Sequence, residues 1–361
     1  MSFISILVVV FVILGGLDRI VGGKFGLAKE FEKGFMVLGV ICLSMIGMIV
    51  ISPFIAQVLK PVLNFVHNVF KIDPSVITAS LFANDMGGAP LSQSVAMDKT
   101  MGLFNGLVVS SMMGATISFT IPIAVEVVSE DCHRELFSGM LCGIITIPIG
   151  CFISGLMCKI PLTALLVNLL PLTIFAAFIA ISLILWTEKC VKVFKAVSVL
   201  IKLLITTGLI LGIVRYLTGV EIIKNLATIE EGFDICFNAS VVMAGMFPLM
   251  YIVSKIISKP LSKMGTLLKI NKTSVMGFIS SLVTNVTTFE MMNGMDKKGI
   301  MLNSAFAVSA SFIFADHLAF TLAFDASYIP AVITGKLTAG ILALLLAMLI
   351  YRIINSEETS I

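Results

Sequence analysis

The chain reads as one unit written twice, and this duplication restricts the fold more than any other feature. The first copy carries Lys60-Pro61, Lys71-Ile72-Asp73, Ser75-Val76, Met97-Asp98-Lys99 and Asn105. The second carries Lys259-Pro260, Lys269-Ile270-Asn271, Ser274-Val275, Met295-Asp296-Lys297 and Asn303. Arg19 and Arg215, each ending an apolar run shortly before a glycine, extend the match upstream. In both copies, polar residues interrupt a segment that ought to be an apolar span. Membrane transporters are often built from such duplications and place their site where the repeats meet.

Apolar residues make up 58% of the chain and charged ones 12%, with a mean hydropathy of +1.09. A soluble domain could not keep this composition in solution, so a polytopic membrane protein is expected. Runs close to the roughly 20 residues needed to cross a bilayer fall at 2–21, 34–59, 100–126, 134–158, 161–186, 195–219, 234–258, 299–323 and 328–354. Two weaker runs, 74–97 and 273–295, are the interrupted ones. Met1-Ser2-Phe3 lacks a basic n-region and no small-residue cleavage pattern follows, so the first helix reads as uncleaved. A net charge of +3 gives no nucleic-acid surface, and the seven cysteines form no Cys-x-x-Cys pair. No cofactor and no metal site are expected.

Loop charge decides how the weak runs sit, because cytoplasmic loops carry the excess of Lys and Arg. If every run crosses, the two faces carry equal numbers of these residues. If 74–97 and 273–295 enter and return to one face, only Lys60, Lys71, Lys99, Lys159, Arg215 and Lys224 remain on the other. The expectation is therefore an all-α polytopic membrane protein with about nine full spans and two re-entrant helical hairpins, N-terminus outside and C-terminus inside. An even number of crossings per half, joined by a single span at 161–186, makes the structural repeat inverted. The organisation becomes a first repeat over 1–160, a connecting span over 161–194 and a second repeat over 195–361.

The first hairpin turns at Asn84-Asp85-Met86-Gly87-Gly88-Ala89-Pro90, where two glycines and a proline end one helix near Asn84 and start another near Pro90. Each arm, about 11 residues at 1.5 Å per residue, reaches roughly the bilayer midplane. Irregular backbone at that depth must line protein or a water-filled cavity, so the tip is a candidate binding site. Asp85 stands there with no basic residue near it in sequence, and a buried carboxylate needs a partner. A ligand cation is one; a capping role is the alternative. The second hairpin turns at Thr284-Asn285-Val286-Thr287-Thr288 and offers hydrogen bonds.

The following spans are interrupted too, at Ser118-Phe119-Thr120-Ile121-Pro122 and at Ala315-Asp316-His317-Leu318, and the repeat register pairs Ser118 with Asp316. Asp316 and His317 diverge by about 100° on an unbroken helix, so only one of them would face a small ligand. His317 is either a packing histidine or a proton relay. Asn105 and Asn303 either serve the site or pin helices together, and Glu290 is placed to pair with Lys297 or Lys298.

Asp85-Met86-Gly87-Gly88, Ser111-Met112-Met113-Gly114, Ile144 through Cys151, and Asn303 through Leu318 also carry a resemblance. Over essentially its full length the chain resembles the EutH-type ethanolamine utilisation permease family. The second hairpin departs from the family's Asn-Asn-Ile-Pro pattern, reading Thr284-Asn285-Val286-Thr287. The resemblance implies a non-enzymatic protein that takes up ethanolamine across the cytoplasmic membrane of a bacterium that degrades it. Ethanolamine's ammonium needs an anion and its hydroxyl needs hydrogen-bonding groups. Asp85, Asn84, Gly87, Gly88, Asn285, Thr287, Asp316, His317, Ser118 and Asn303 are the expected substrate-binding residues. A carboxylate at about 4 Å offers roughly 4 kcal/mol of gross attraction, whereas micromolar binding needs about 8 kcal/mol, so more than one group must contribute. The expected partners are ethanolamine and the lipid bilayer, with a homodimer suggested by analogy of architecture. A sodium- or proton-coupled symporter for another small amine or metabolite is the alternative. A remoter one is an intramembrane aspartyl hydrolase using Asp85 and Asp316, although Gly-x-Gly-Asp is missing.

Overall fold

A computed structural model describes residues 3–358, with side chains for 5–256 and 265–354. The Met1-Ser2 start lies outside the described residues, as do the side chains of Lys259, Pro260 and Lys263. Among the described residues there are helices and turns but no strand. In chain order the α-helices are α1 (Phe3–Ile20), α2 (Leu27–Met36), α3 (Leu38–Phe70), α4 (Ser75–Leu81), α5 (Gly88–Val95), α6 (Lys99–Phe104), α7 (Ile121–Val127), α8 (His133–Met157), α9 (Leu162–Leu185), α10 (Thr187–Thr218), α11 (Ile229–Leu268), α12 (Lys272–Val283), α13 (Asn285–Met291), α14 (Lys297–Ala310), α15 (Asp316–Asp325) and α16 (Ile329–Glu358).

Seven helical stretches among the described residues are long and apolar enough to cross a membrane: 27–70, 99–127, 130–157, 162–185, 187–218, 229–256 and 316–354. Large apolar side chains such as Leu166, Leu170, Ile174 and Phe178 on α9 and Val199 and Leu203 on α10 face outward. Buried positions meanwhile include Asn105, Asn168, Ser110 and Lys336. This inverts the soluble pattern and identifies a multi-pass membrane protein. The expected span at 299–323 is not continuous, because the chain leaves the helix between Ala310 and Asp316.

The duplicated marks recur as duplicated contacts. Lys71 and Lys269, which end α3 and α11, both adopt left-handed backbone, at φ 58° and 53°. Asp98 accepts from the Met101 N–H at 2.8 Å and Asp296 from the Gly299 N–H at 3.2 Å, capping α6 and α14. Asn105 donates to Ser75 Oγ at 2.8 Å, and Asn303 to the Ser274 carbonyl, also at 2.8 Å. Both asparagines thus pin the helix that leads towards an interruption.

Helix α8 packs against α14 and α16, while α3 packs against α10 and α11. Small side chains bring the first group close: Ser154 donates to the Ala331 carbonyl at 2.7 Å and Thr146 to that of Ala339 at 3.0 Å. Such contacts suit helices that gain little hydrophobic drive from one another in lipid. The interruptions lie between the two groups.

Candidate functional site

Helix α4 ends at Leu81, earlier than the sequence suggests. Phe82 and Ala83 are extended, Asn84–Met86 form a short 3-10 turn, and α5 begins at Gly88. Gly87 makes the turn possible with φ +92°, and a Cβ there would also collide with the Met48 side chain. The neighbouring span has no break. It widens into π-helix over Asn105–Gly114 and Thr116–Thr120 before α7. Its hydroxyls take carbonyls of the preceding turn: Thr116 donates to Met112 at 2.7 Å and Ser118 to Gly114 at 2.7 Å. This competition, together with Pro122 at the start of α7, loosens the regular ladder. Ser118 Oγ also accepts from the Ala83 N–H at 3.1 Å, fastening the first tip.

The second tip is narrower, since only Thr284 is extended between α12 and α13. Asn285 donates from its amide to Thr120 Oγ1 at 2.9 Å, a bond from one copy to the other. The span after it breaks over Ser311–Ala315, with Phe312 at φ 61°. Helix α12 satisfies part of the freed backbone: the Phe312 N–H donates to the Ser281 carbonyl and the Phe314 N–H to that of Leu282, both at 3.0 Å. Asp316 therefore opens a new helix instead of sitting inside one. That removes the 100° objection, and Asp316 and His317 border the same cavity.

The cavity measures about 270 Å³ and lies where both tips, the π-helical stretch, the broken span, α3 and α11 meet. This is just under the roughly 300–1,000 Å³ typical of drug-sized ligands, as befits a smaller molecule. Asp85 and Asp316 give it two carboxylates, and Ser44 and Thr284 add hydroxyls. Phe119, Phe312 and Phe320 contribute aromatic wall. His317 is buried, with Nε2 3.8 Å from Asp85 Oδ1 and Nδ1 3.1 Å from Lys336 Nζ. Lys336, from α16, has 0% exposure and also donates to the Ser111 carbonyl. A line of groups thus runs from the cavity through Asp85 and His317 to a buried ammonium. Lys336 was absent from the sequence expectation, although a lysine in the middle of the 328–354 span is a signal of function in itself.

Of the expected residues only Asp85, Asp316 and His317 line the cavity, and the others do not border it. Asn84 is fully buried beside Asp85, and both its amide atoms lack a protein partner, as does Asn285 Oδ1. Gly88 is packed so that a Cβ would meet the Phe82 carbonyl and Ser110 Oγ. Ser118 holds the first tip and Asn303 pins α12. Thr287 is exposed and borders a separate cavity with Glu30 and Lys33. Glu290 pairs with neither lysine: Lys297 faces Glu135 at 3.8 Å, and Lys298 donates to the Leu268 carbonyl at 2.5 Å.

Comparison with known proteins places these features in a family. The family model described as "Ethanolamine utilisation protein, EutH" matches residues 1–350. The chain is 40% identical over 320 residues to a probable ethanolamine permease EutH of Listeria monocytogenes, covering 89% of this chain and 86% of the relative. It is 33% identical over 360 residues to a probable ethanolamine permease EutH of Salmonella typhimurium, covering 89% and 88%. An uncharacterized protein YxeR of Bacillus subtilis is 31% identical over 310 residues, covering 86% and 84%. No solved structure matches. With the family model matched over residues 1–350 and relatives up to 40% identical, this helical membrane chain belongs to the EutH ethanolamine utilisation family.

Proposed function

We propose that this protein is a permease that takes up ethanolamine across the bacterial cytoplasmic membrane, not an enzyme, and that the ammonium group is bound between Asp85 and Asp316. The observation that carries the reading is the cavity itself, a small space bordered by both tips and by two carboxylates. Several relatives are named probable ethanolamine permeases, which supports the substrate. In the cavity an ammonium meets two anions, aromatic faces and hydroxyls, so the shortfall left by a single carboxylate is covered by several groups.

In this reading α4–α5 and α12–α13 are re-entrant hairpins of two inverted repeats, 1–160 and 195–361, joined through 161–194. The N-terminus lies outside and the C-terminus inside, as loop charge suggests. The elements on either side of the cavity suit an elevator-like motion: the hairpins travel with α8, α14 and α16 against a scaffold of α3, α10 and α11. The separate packing of these two groups supports that division. Assembly as a homodimer would anchor the scaffold.

Purified protein in proteoliposomes should accumulate labelled ethanolamine saturably, with competition from unlabelled ethanolamine and not from amino acids. Uptake that requires an imposed sodium or proton gradient would replace facilitation with symport. Failure to move ethanolamine at all would refute the proposal.

A further inference from the structure

In their ordinary ionised forms the charged groups around the cavity do not cancel: Asp85 and Asp316 supply two negative charges and Lys336 one positive charge beside His317. Assigning Lys336 as the donor to Nδ1 makes the imidazole neutral with its proton on Nε2, the atom nearest Asp85. The other titratable groups in reach do not alter the sum. Lys33 on α2 is exposed and lies 4.8 Å from the Phe247 ring centroid, so solvent screens it. Cys151 on α8 is a fully buried thiol and adds no charge near pH 7. One negative charge is left over.

An uncompensated charge at this depth is costly, and so is each charge beyond one. We propose that Lys336 is a resident counter-cation: acting through His317 it balances one of the two carboxylates, so that the cavity holds a single monovalent cation and has no place for a co-transported one. Lys336 is a positioning residue in this scheme, since His317 separates it from Asp85. The proposal rests on the reading of the cavity as the ammonium site and adds to it a stoichiometry of one cation.

The two roles open to Lys336, charge balance and helix anchoring through the Ser111 carbonyl, predict opposite outcomes in a rescue experiment. Ethanolamine and methylammonium binding are titrated calorimetrically on the purified wild type, on Asp85→Asn and on Asp85→Asn/Lys336→Gln. Asp85→Asn leaves Asp316 already balanced by Lys336, so ammonium affinity is lost. Removing Lys336 as well restores one free negative charge, and affinity recovers by at least about tenfold over the single variant, equivalent to roughly 1.4 kcal/mol. A monodisperse double variant that binds no better than Asp85→Asn overturns the proposal.

Should the double variant not fold, the wild type decides. Its affinity is expected to be unchanged when sodium replaces a bulky organic cation at constant ionic strength, with one ligand bound per chain. Sodium-dependent affinity reveals a second cation place and overturns the proposal. If the wild type binds methylammonium with the rescue pattern but no ethanolamine, the substrate assignment fails and the charge balance stands.

Discussion

The tip after α4 and the tip after α12 border one cavity, yet the first leaves α-helix from Phe82 to Gly87 while the second leaves it only at Thr284. The spans beside them differ in the reverse sense, π-helical but continuous in the first copy and broken at Ser311–Ala315 in the second. Around these centres the frames remain alike: left-handed Lys71 and Lys269, caps from Asp98 and Asp296, pins from Asn105 and Asn303. The paired sequence marks thus make paired contacts, and the differences gather at the cavity. Each copy now brings one carboxylate by a different device, a glycine-made turn for Asp85 and a fresh helix start for Asp316.

That difference can be sharpened first at the carboxylates. Asp85→Asn and Asp316→Asn should each cost about 2–5 kcal/mol of ammonium affinity, because either loss leaves the remaining carboxylate balanced by Lys336, read by titration of both variants. A loss confined to one variant would make the two devices electrostatically unequal. Next come the turns: Gly87→Ala forces a side chain into left-handed backbone against Met48 and should destabilise by about 2–4 kcal/mol in thermal unfolding. Thr284→Ala, in ordinary extended backbone, should cost far less.

The shared frame predicts similarity instead. Asn105→Ala and Asn303→Ala should each lose about 1–2 kcal/mol of stability while KM for uptake stays unchanged, and a shift in KM from either would move that asparagine into the site. Smallest of all, Thr287→Ala should leave uptake at wild-type level, because the side chain is exposed beside a different cavity.

Much of this arrangement was legible in the sequence. The copies, the interruptions and the carboxylates announce themselves because glycine, proline and charge are conspicuous within apolar runs. Where the helices stop was less so. Asp316 and His317 look incompatible on one face until the backbone of α12 is seen to take up the N–H groups of Phe312 and Phe314, which frees the chain to restart at Asp316. Lys336 escaped for a related reason. Its partners His317 and the Ser111 carbonyl come from distant segments, and their approach depends on how α16 packs beside α8 and α14. Thr287 and Asp85 both belong to hairpin tips in sequence, but only the folded arm shows which way each one faces.

The central claim, that an ammonium ion is held where the two copies meet, is tested most directly by uptake of labelled ethanolamine into proteoliposomes containing equal amounts of wild-type protein or Asp85→Asn. The account predicts saturable uptake by the wild type and none above empty liposomes for the folded variant; wild-type rates from Asp85→Asn would contradict it.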